Sequence, residues 1–428
     1  MIPFRIHVTN LKSNKSLRNG TLFSLFSVIN QGFSFLILLV LASFITPTEY
    51  GYLSLFATVT MVIGYFMAMM SEGYLSVSYF SEGETGIKKT FTGLLVTSLT
   101  VASVLILILL LFGNSISTIL KLPLHVLFIA VILSFFYVFT QINLDLCRIQ
   151  ERVVSYGLLS CSNAFLNFVI SIVIVKYLMM GWEGRVYTQG MCSILFGCIG
   201  LFVFIKNGFL GKFNAHHWKL MMLWGIPLIP HAAANFIKQG MDRYIIDSYH
   251  SIELVGLFSF ALNLVNIIIM LGNGFNQSNG VEIYKVLGDN DLSNEDKEIK
   301  LTSQIKLLIK VYIFILIAVI LGVTLLIPVF MPNYTGSIPY FLVLSAYGFM
   351  VCLYLLYSNF LFYYKKTKNI MYITFSVACI HLLMSLLITR YSLFLTCALY
   401  CLTQGCVSLL IRHKALAILK QNEIALGR

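Results

Sequence analysis

Charged residues are scarce in this sequence. Asp, Glu, Lys and Arg make up 11% of 428 residues, against about a quarter in soluble domains. That excludes an ordinary water-soluble domain. Also missing is any cysteine pairing pattern: the nine cysteines, from Cys147 to Cys406, lie in or at the ends of apolar segments, with no CxxC pair and none in a polar loop. A disulfide framework and a zinc site are therefore not expected, and the cysteines read as small apolar side chains. No GxxxxGK[ST] loop, HExxH, GxSxG or Cys/His metal spacing occurs, so ATP hydrolysis and the common hydrolases have no support. The expectation is a protein without catalytic residues, metal or cofactor, and with no nucleic-acid partner.

What is present is apolar sequence, 58% of the chain, with a mean hydropathy of +0.87. The reading is an all-α polytopic membrane protein. Apolar segments recur near 21–46, 52–78, 91–112, 124–147, 156–178, 186–206, 219–248, 252–278, 305–330, 338–363, 370–389 and 392–413, which predicts about twelve spans. The expected organisation is a cytoplasmic arm over 1–20, a six-helix lobe over 21–206, a linker over 207–218, a second six-helix lobe over 219–413 and a tail over 414–428. The run after the polar arm is too long for a signal-peptide core.

The placement of positive charge orients the chain. With the amino end inside, 23 of the 29 Lys and Arg fall on inner segments, and six, Lys121, Lys176, Arg185, Lys238, Arg243 and Arg390, fall outside. By the positive-inside rule both termini are expected in the cytoplasm. The halves also echo each other. Gly51 opens the second segment within Glu49-Tyr50-Gly51-Tyr52-Leu53-Ser54, and Gly256 opens the eighth within Leu254-Val255-Gly256-Leu257-Phe258-Ser259, 205 positions later, as a parallel repeat would.

One stretch, Gly225 to Lys285, encloses charge in hydrophobic sequence on both sides. On a helix, His231, Asn235, Lys238 and Asp242 share one stripe, and Arg243 and Asp247 form an i,i+4 pair beside it. Pro227 and Pro230 predict a kink or unwound turn at the entry. A charge near hydrocarbon costs roughly 2.5 to 3.5 kcal/mol, so these groups face water, one another or a ligand. Two readings stay open: the wall of an aqueous cavity, shared with Ser259, Asn263, Asn266, Asn273, Asn276 and Gln277 of the next helix, or a solvated outer turn. In the first half, Gln141, Asp145 and Arg148 form a stripe, as do Ser160, Asn163, Asn167 and Ser171, either as contacts between helices or as a polar interior. Glu72 reads as a proton carrier or as a pathway-edge carboxylate. Tyr347, Tyr354, Tyr357 and Tyr364 share a face that suits sugar stacking or an interfacial belt.

Six pieces in order, Thr46-Pro47-Thr48-Glu49-Tyr50-Gly51, Gly225-Ile226-Pro227-Leu228-Ile229-Pro230, Asp242-Arg243, Val255-Gly256-Leu257-Phe258-Ser259, Phe275-Asn276-Gln277 and Phe362 to Lys368, resemble the Wzx-type flippases of O-antigen and capsule synthesis. These form the polysaccharide-transport branch of the MATE-like MOP superfamily. Each piece is loose alone; the ordered set is specific. The resemblance implies two six-helix lobes around a central cavity, and an undecaprenyl-diphosphate-linked oligosaccharide moved across the bacterial inner membrane by alternating access with ion-gradient coupling. Implied partners are the lipid-linked substrate, membrane lipids, and a polysaccharide polymerase and chain-length regulator. Related sequences carry a proline soon after the Asn-Gln of the eighth helix, whereas Ser278 to Tyr284 has none.

On this reading Arg243 and Lys238 contact diphosphate or acidic sugar. Asp242 and Asp247 hold those cations, His231, Asn235 and Asn263 line the route, and Glu72 and Asp145 are the ion-coupling candidates. The rivals are a glycosyl polymerase or ligase of the same pathway, which needs a larger outer loop than Ile45–Gly51 or Phe330–Pro339 supplies, and a MATE-type cation or drug antiporter, which favours an acidic lumen.

Overall fold

A computed structural model describes residues 15–289 and 291–422. The arm before residue 15 and the last six residues lie outside the described part. Every element in that part is helical, in keeping with the all-α expectation. The chain forms two compact units, residues 1–45 with 55–232, and residues 46–54 with 233–428.

The first unit holds α1 (Lys15–Ala42), most of α2 (Pro47–Met67), α3 (Tyr74–Glu82), α4 (Glu84–Leu120), α5 (Leu124–Ile149), α6 (Val153–Ile172), α7 (Gly181–Lys206) and α8 (Ala215–Gly225). α4 has 37 residues, about 55 Å at 1.5 Å per residue, longer than the roughly 30 Å hydrocarbon core. Its polar first turns, Glu84 to Lys89, therefore extend past the apolar part. The second unit begins within α9 (Ile229–Asn235) and continues through α10 (Met241–Tyr249), α11 (Ile252–Gly288), α12 (Asn294–Phe330), α13 (Ile338–Tyr363), α14 (Thr367–Ile388) and α15 (Leu393–Gln421). Its core joins Ile268, Tyr312, Leu356, Phe360 and Ile411 across α11, α12, α13 and α15.

Helix starts follow local chemistry. Ser251, Ser293 and Ser392 accept backbone N–H bonds at the starts of α11, α12 and α15, as short hydroxyl side chains do at N-caps. Before α2, the Thr46 N–H bonds Glu49 Oε2 at 2.8 Å and the Glu49 N–H bonds Thr46 Oγ1 at 3.2 Å. That is a reciprocal capping box with Pro47 at the first helical position.

Among the described residues ten helical stretches are long and apolar enough to cross a membrane, and the chain is a multi-pass membrane protein. Sequence periodicity suggested twelve segments. The first is represented by the shorter apolar part Val28–Ala42. The seventh, expected as a single helix over 219–248, is broken into α8, a 3₁₀ turn at Ile226–Leu228, α9, a π turn at Phe236–Gly240 and α10. Pro227 and Pro230 remove two backbone donors there. The second segment also breaks: Met69 and Met70 take left-handed φ of 51° and 55°, and a turn separates α2 from α3.

Candidate functional site

The broken stretch places charge inside the second unit. α10 packs against α14, and Asp242 on its first turn is fully buried. His381 Nε2 lies 2.7 Å from Asp242 Oδ2, and the Ser385 hydroxyl donates to Asp242 Oδ1 at 2.5 Å. Both groups come from α14, one turn apart. The other His381 nitrogen, Nδ1, is 3.1 Å from Thr403 Oγ1 on α15. Ser385 lies 3.2 Å from Thr389 Oγ1, which accepts from Thr396 at 2.9 Å. This is a continuous buried chain of an acid, an imidazole and hydroxyls.

Lys238, in the π turn, donates to Gln404 Oε1 at 2.9 Å, and the Tyr400 hydroxyl donates to the Lys238 carbonyl. A π turn shifts the ring of i→i−4 partners and frees carbonyls for such bonds. Arg243 Nη1 donates to the Ser54 carbonyl at 3.1 Å. Asn263 donates to the Tyr50 hydroxyl at 2.6 Å, and the Tyr50 ring packs edge-on against Phe260 and Tyr334.

The sequence candidates are thus partly brought together. Lys238, Asp242, Arg243 and Asp247 share the broken stretch, and Asp242 and Asp247 are buried, which rules out a solvated outer turn for these two. Asp242 is hydrogen-bonded by His381 and Ser385. Asn263 belongs to a packing contact with Tyr50. The side chains of His231 and Asn235 lie outside the described residues. Glu72 sits in the turn between α2 and α3, not inside a helix. Asp145 is held by Arg148 Nη1 at 2.7 Å, while Arg148 Nη2 donates to the Tyr156 hydroxyl at 2.8 Å. The tyrosine face of α13 turns inward at two positions: Tyr347 is buried edge-on to Tyr400 at 5.3 Å, and Tyr357 is buried beneath Arg412. No group of metal-ligating side chains occurs among the described residues.

With this geometry in view, comparison with known proteins is decisive at the family level. Residues 16–279 match the model of the family described as polysaccharide biosynthesis protein. The chain belongs to that family. It is 23% identical over 342 residues to Lsg locus putative protein 1 of Haemophilus influenzae, covering 78% of this chain and 82% of that one. In fold it is similar to the inward-facing form of a multidrug resistance MATE family transporter of the MOP superfamily, with a TM-score of 0.73, 12% identity and 94% and 95% of the two chains covered. It is also similar to the lipid II flippase MurJ in an inward closed conformation, with a TM-score of 0.69, 14% identity and 94% and 92% covered. The fold is therefore MATE-like, shared with a transporter and a flippase.

In this polysaccharide biosynthesis protein, sequence reasoning missed the α14 and α15 side of the site. The signal was available: His381, Ser385 and Thr389 are spaced i,i+4 along α14, and Thr396, Tyr400 and Thr403 recur on one side of α15. It also placed Arg185 in an outer loop. The structure buries Arg185 in the second turn of α7, donating to Asn167 Oδ1 at 2.7 Å and Ser171 Oγ at 2.8 Å.

Proposed function

We propose that the chain is a flippase that moves undecaprenyl-diphosphate-linked oligosaccharide repeat units across the bacterial inner membrane for O-antigen or capsule synthesis. The observation that carries this reading is the broken stretch from Gly225 to Tyr249, which holds Lys238, Asp242, Arg243 and Asp247 within apolar sequence. A charge retained in such surroundings serves a partner or a cargo. Family membership supports polysaccharide handling, and the likeness to a lipid II flippase supports a lipid-linked cargo. Arg243, with Lys238, supplies positive charge for diphosphate or acidic sugar. Asp247 steadies the cations.

Coupling to an ion gradient is assigned to Asp242 with His381, in preference to Glu72 or Asp145. A carboxylate and an imidazole 2.7 Å apart with no exposure form a buried acid–base pair, the kind of pair that proton-relay sites inside membranes use. Asp145 already has a guanidinium partner. Both termini face the cytoplasm, and a polymerase and chain-length regulator act on the product. The acidic lumen expected of a drug antiporter finds less support, because Lys238 and Arg243 share the stretch with the two carboxylates.

Replacing Arg243 with Ala abolishes surface polymer in a strain lacking the gene, at unchanged protein level; full complementation by Arg243→Ala would sink the role given to it. Asp242→Asn is expected to remove the response of transport in proteoliposomes to an imposed pH gradient. An unchanged response would return coupling to Glu72 or Asp145.

A further inference from the structure

Within the first unit, α1, α2, α5, α6 and α7 enclose a cavity of about 270 Å³. Polar side chains reach its wall from all five helices, among them Asn30, Thr60, Gln141, Asn163, Arg185 and Gln189. Among the described residues no carboxylate lines it. Arg185 supplies its charge, and only 7% of that residue is exposed.

The guanidinium is incompletely partnered. Nη1 is occupied by Asn167 and Ser171, both neutral. Nε is buried without an acceptor, and among the described residues the hydrogen bonds of Arg185 are all at Nη1. The nearest acid in sequence, Glu183, is turned away to His125 at 3.2 Å and Tyr187 at 3.4 Å. Asn167 is itself tied to Asn163, 3.4 Å away, so the amides hold the arginine from one side only. The Nε–Nη2 edge, which carboxylates and phosphates take side-on through two parallel bonds, has no protein partner.

We infer that this cavity binds one sugar unit bearing an anionic group, carboxylate or phosphate, with Arg185 taking the anion and the surrounding amides the ring hydroxyls. The inference rests on the flippase reading for the sugar and on Arg185 for the charge. Amides donate and accept at once, which matches hydroxyls without fixing one stereochemistry. The half-open space of about 270 Å³ accommodates a single sugar ring. An Arg whose partners are neutral and leave one edge unpaired, in a wall with no carboxylate among the described residues, favours an anion over the cation that an acidic pocket would hold.

Titration of the full chain in lipid nanodiscs with glucuronate, glucose 1-phosphate and glucose tests this by calorimetry. One or both anionic sugars should saturate while glucose does not, and the better of the two names the anion. Arg185→Gln should weaken that binding at least about tenfold, and Arg185→Lys, which keeps charge but loses the fork, should fall between. If Arg185→Gln melts early, Gln189→Ala and Asn30→Ala, neither of which holds the arginine, carry the test with the same expected direction. Equal binding of glucose and the anions, no binding at all, or undiminished binding by well-folded variants would overturn the site. Translocation of a lipid-linked oligosaccharide in proteoliposomes separates the two ideas. Transport without sugar-anion binding removes the cavity site alone, and binding without transport removes the flippase reading.

Discussion

Glu82, at the end of α3, meets Lys89 at 2.8 Å and the His217 Nδ1 at 3.6 Å. Lys89, by its hydrogen bond, is the main cause holding the Glu82 carboxyl below its ordinary 4.5. Burial holds His217 below its ordinary 6.5, with Glu82 opposing; its Nε2 lies 2.9 Å from Thr90 Oγ1. Both shifts have the same sign for stability. A depressed carboxyl contributes above its unfolded value and loses that as pH falls through the folded one, and an imidazole kept neutral by burial loses stability as pH falls below about 6.5, where the unfolded imidazole takes a proton and the buried one does not. Melting in detergent should therefore occur at lower temperature at acid pH than at neutrality, and His217→Gln should flatten the slope between pH 7 and 5. An unchanged slope would remove His217 from the account. At this scale the sequence was readable only within one helix. The Asp242–Arg243 pair stood out, but His381 is 139 positions from Asp242, and no local spacing joins them. Arg185 was misread because Gly181-Trp182-Glu183-Gly184 before it resembles a loop, whereas the helix has already begun at Gly181.

Two glycines explain more of the elements than any charge does. A Cβ on Gly256 would lie 1.8 Å from the Pro47 carbonyl oxygen, and one on Gly51 would lie 2.2 Å from the Ile252 carbonyl oxygen. The first turns of α2 and α11 thus meet at the two glycines that the internal repeat singled out, with backbone against backbone where only glycine fits. Gly256→Ala must push these turns apart, an overpacking of about 1 to 3 kcal/mol or more, and should lower the melting temperature or the yield. Gly274→Ala on the same helix meets nothing within 4 Å and should be silent. Equal effects of the two would contradict the close contact. The existence of most helices was legible from hydrophobic runs, and the break at Ile226–Leu228 from Pro227 and Pro230. The turn at Met69–Met70 and the π turn at Phe236–Gly240 were not: neither Met69 nor Met70 is a proline or glycine, and Gly240 at the end of the π turn does not by itself say that a helical run changes its hydrogen-bond register there.

At the scale of the whole molecule, composition alone gave the class: 11% charge and 58% apolar residues leave little besides a membrane-embedded bundle, and family and fold comparisons agree. The bias of 23 inner to six outer Lys and Arg predicts an inside carboxyl end, so a green fluorescent reporter fused after Arg428 should fluoresce while a phosphatase fusion there stays inactive. The opposite pair of results would invert the topology. Of the six outer positives, Lys238 and Arg243 are hydrogen-bonded inside the second unit and Arg185 is buried in the first, so they carry no weight in that orientation argument.

The segment Thr46–Ser54 comes early in the chain and yet is seated in the second unit, where Tyr50 meets Phe260, Asn263 and Tyr334 and where Ser54 takes the Arg243 bond. Genetic exchange between related genes at the loop after Lys206 would import a foreign nonapeptide into a resident aromatic socket. Chimaeras joined at that point should fail unless those nine residues travel with the second half, which makes them one inherited block despite the two hundred positions between them.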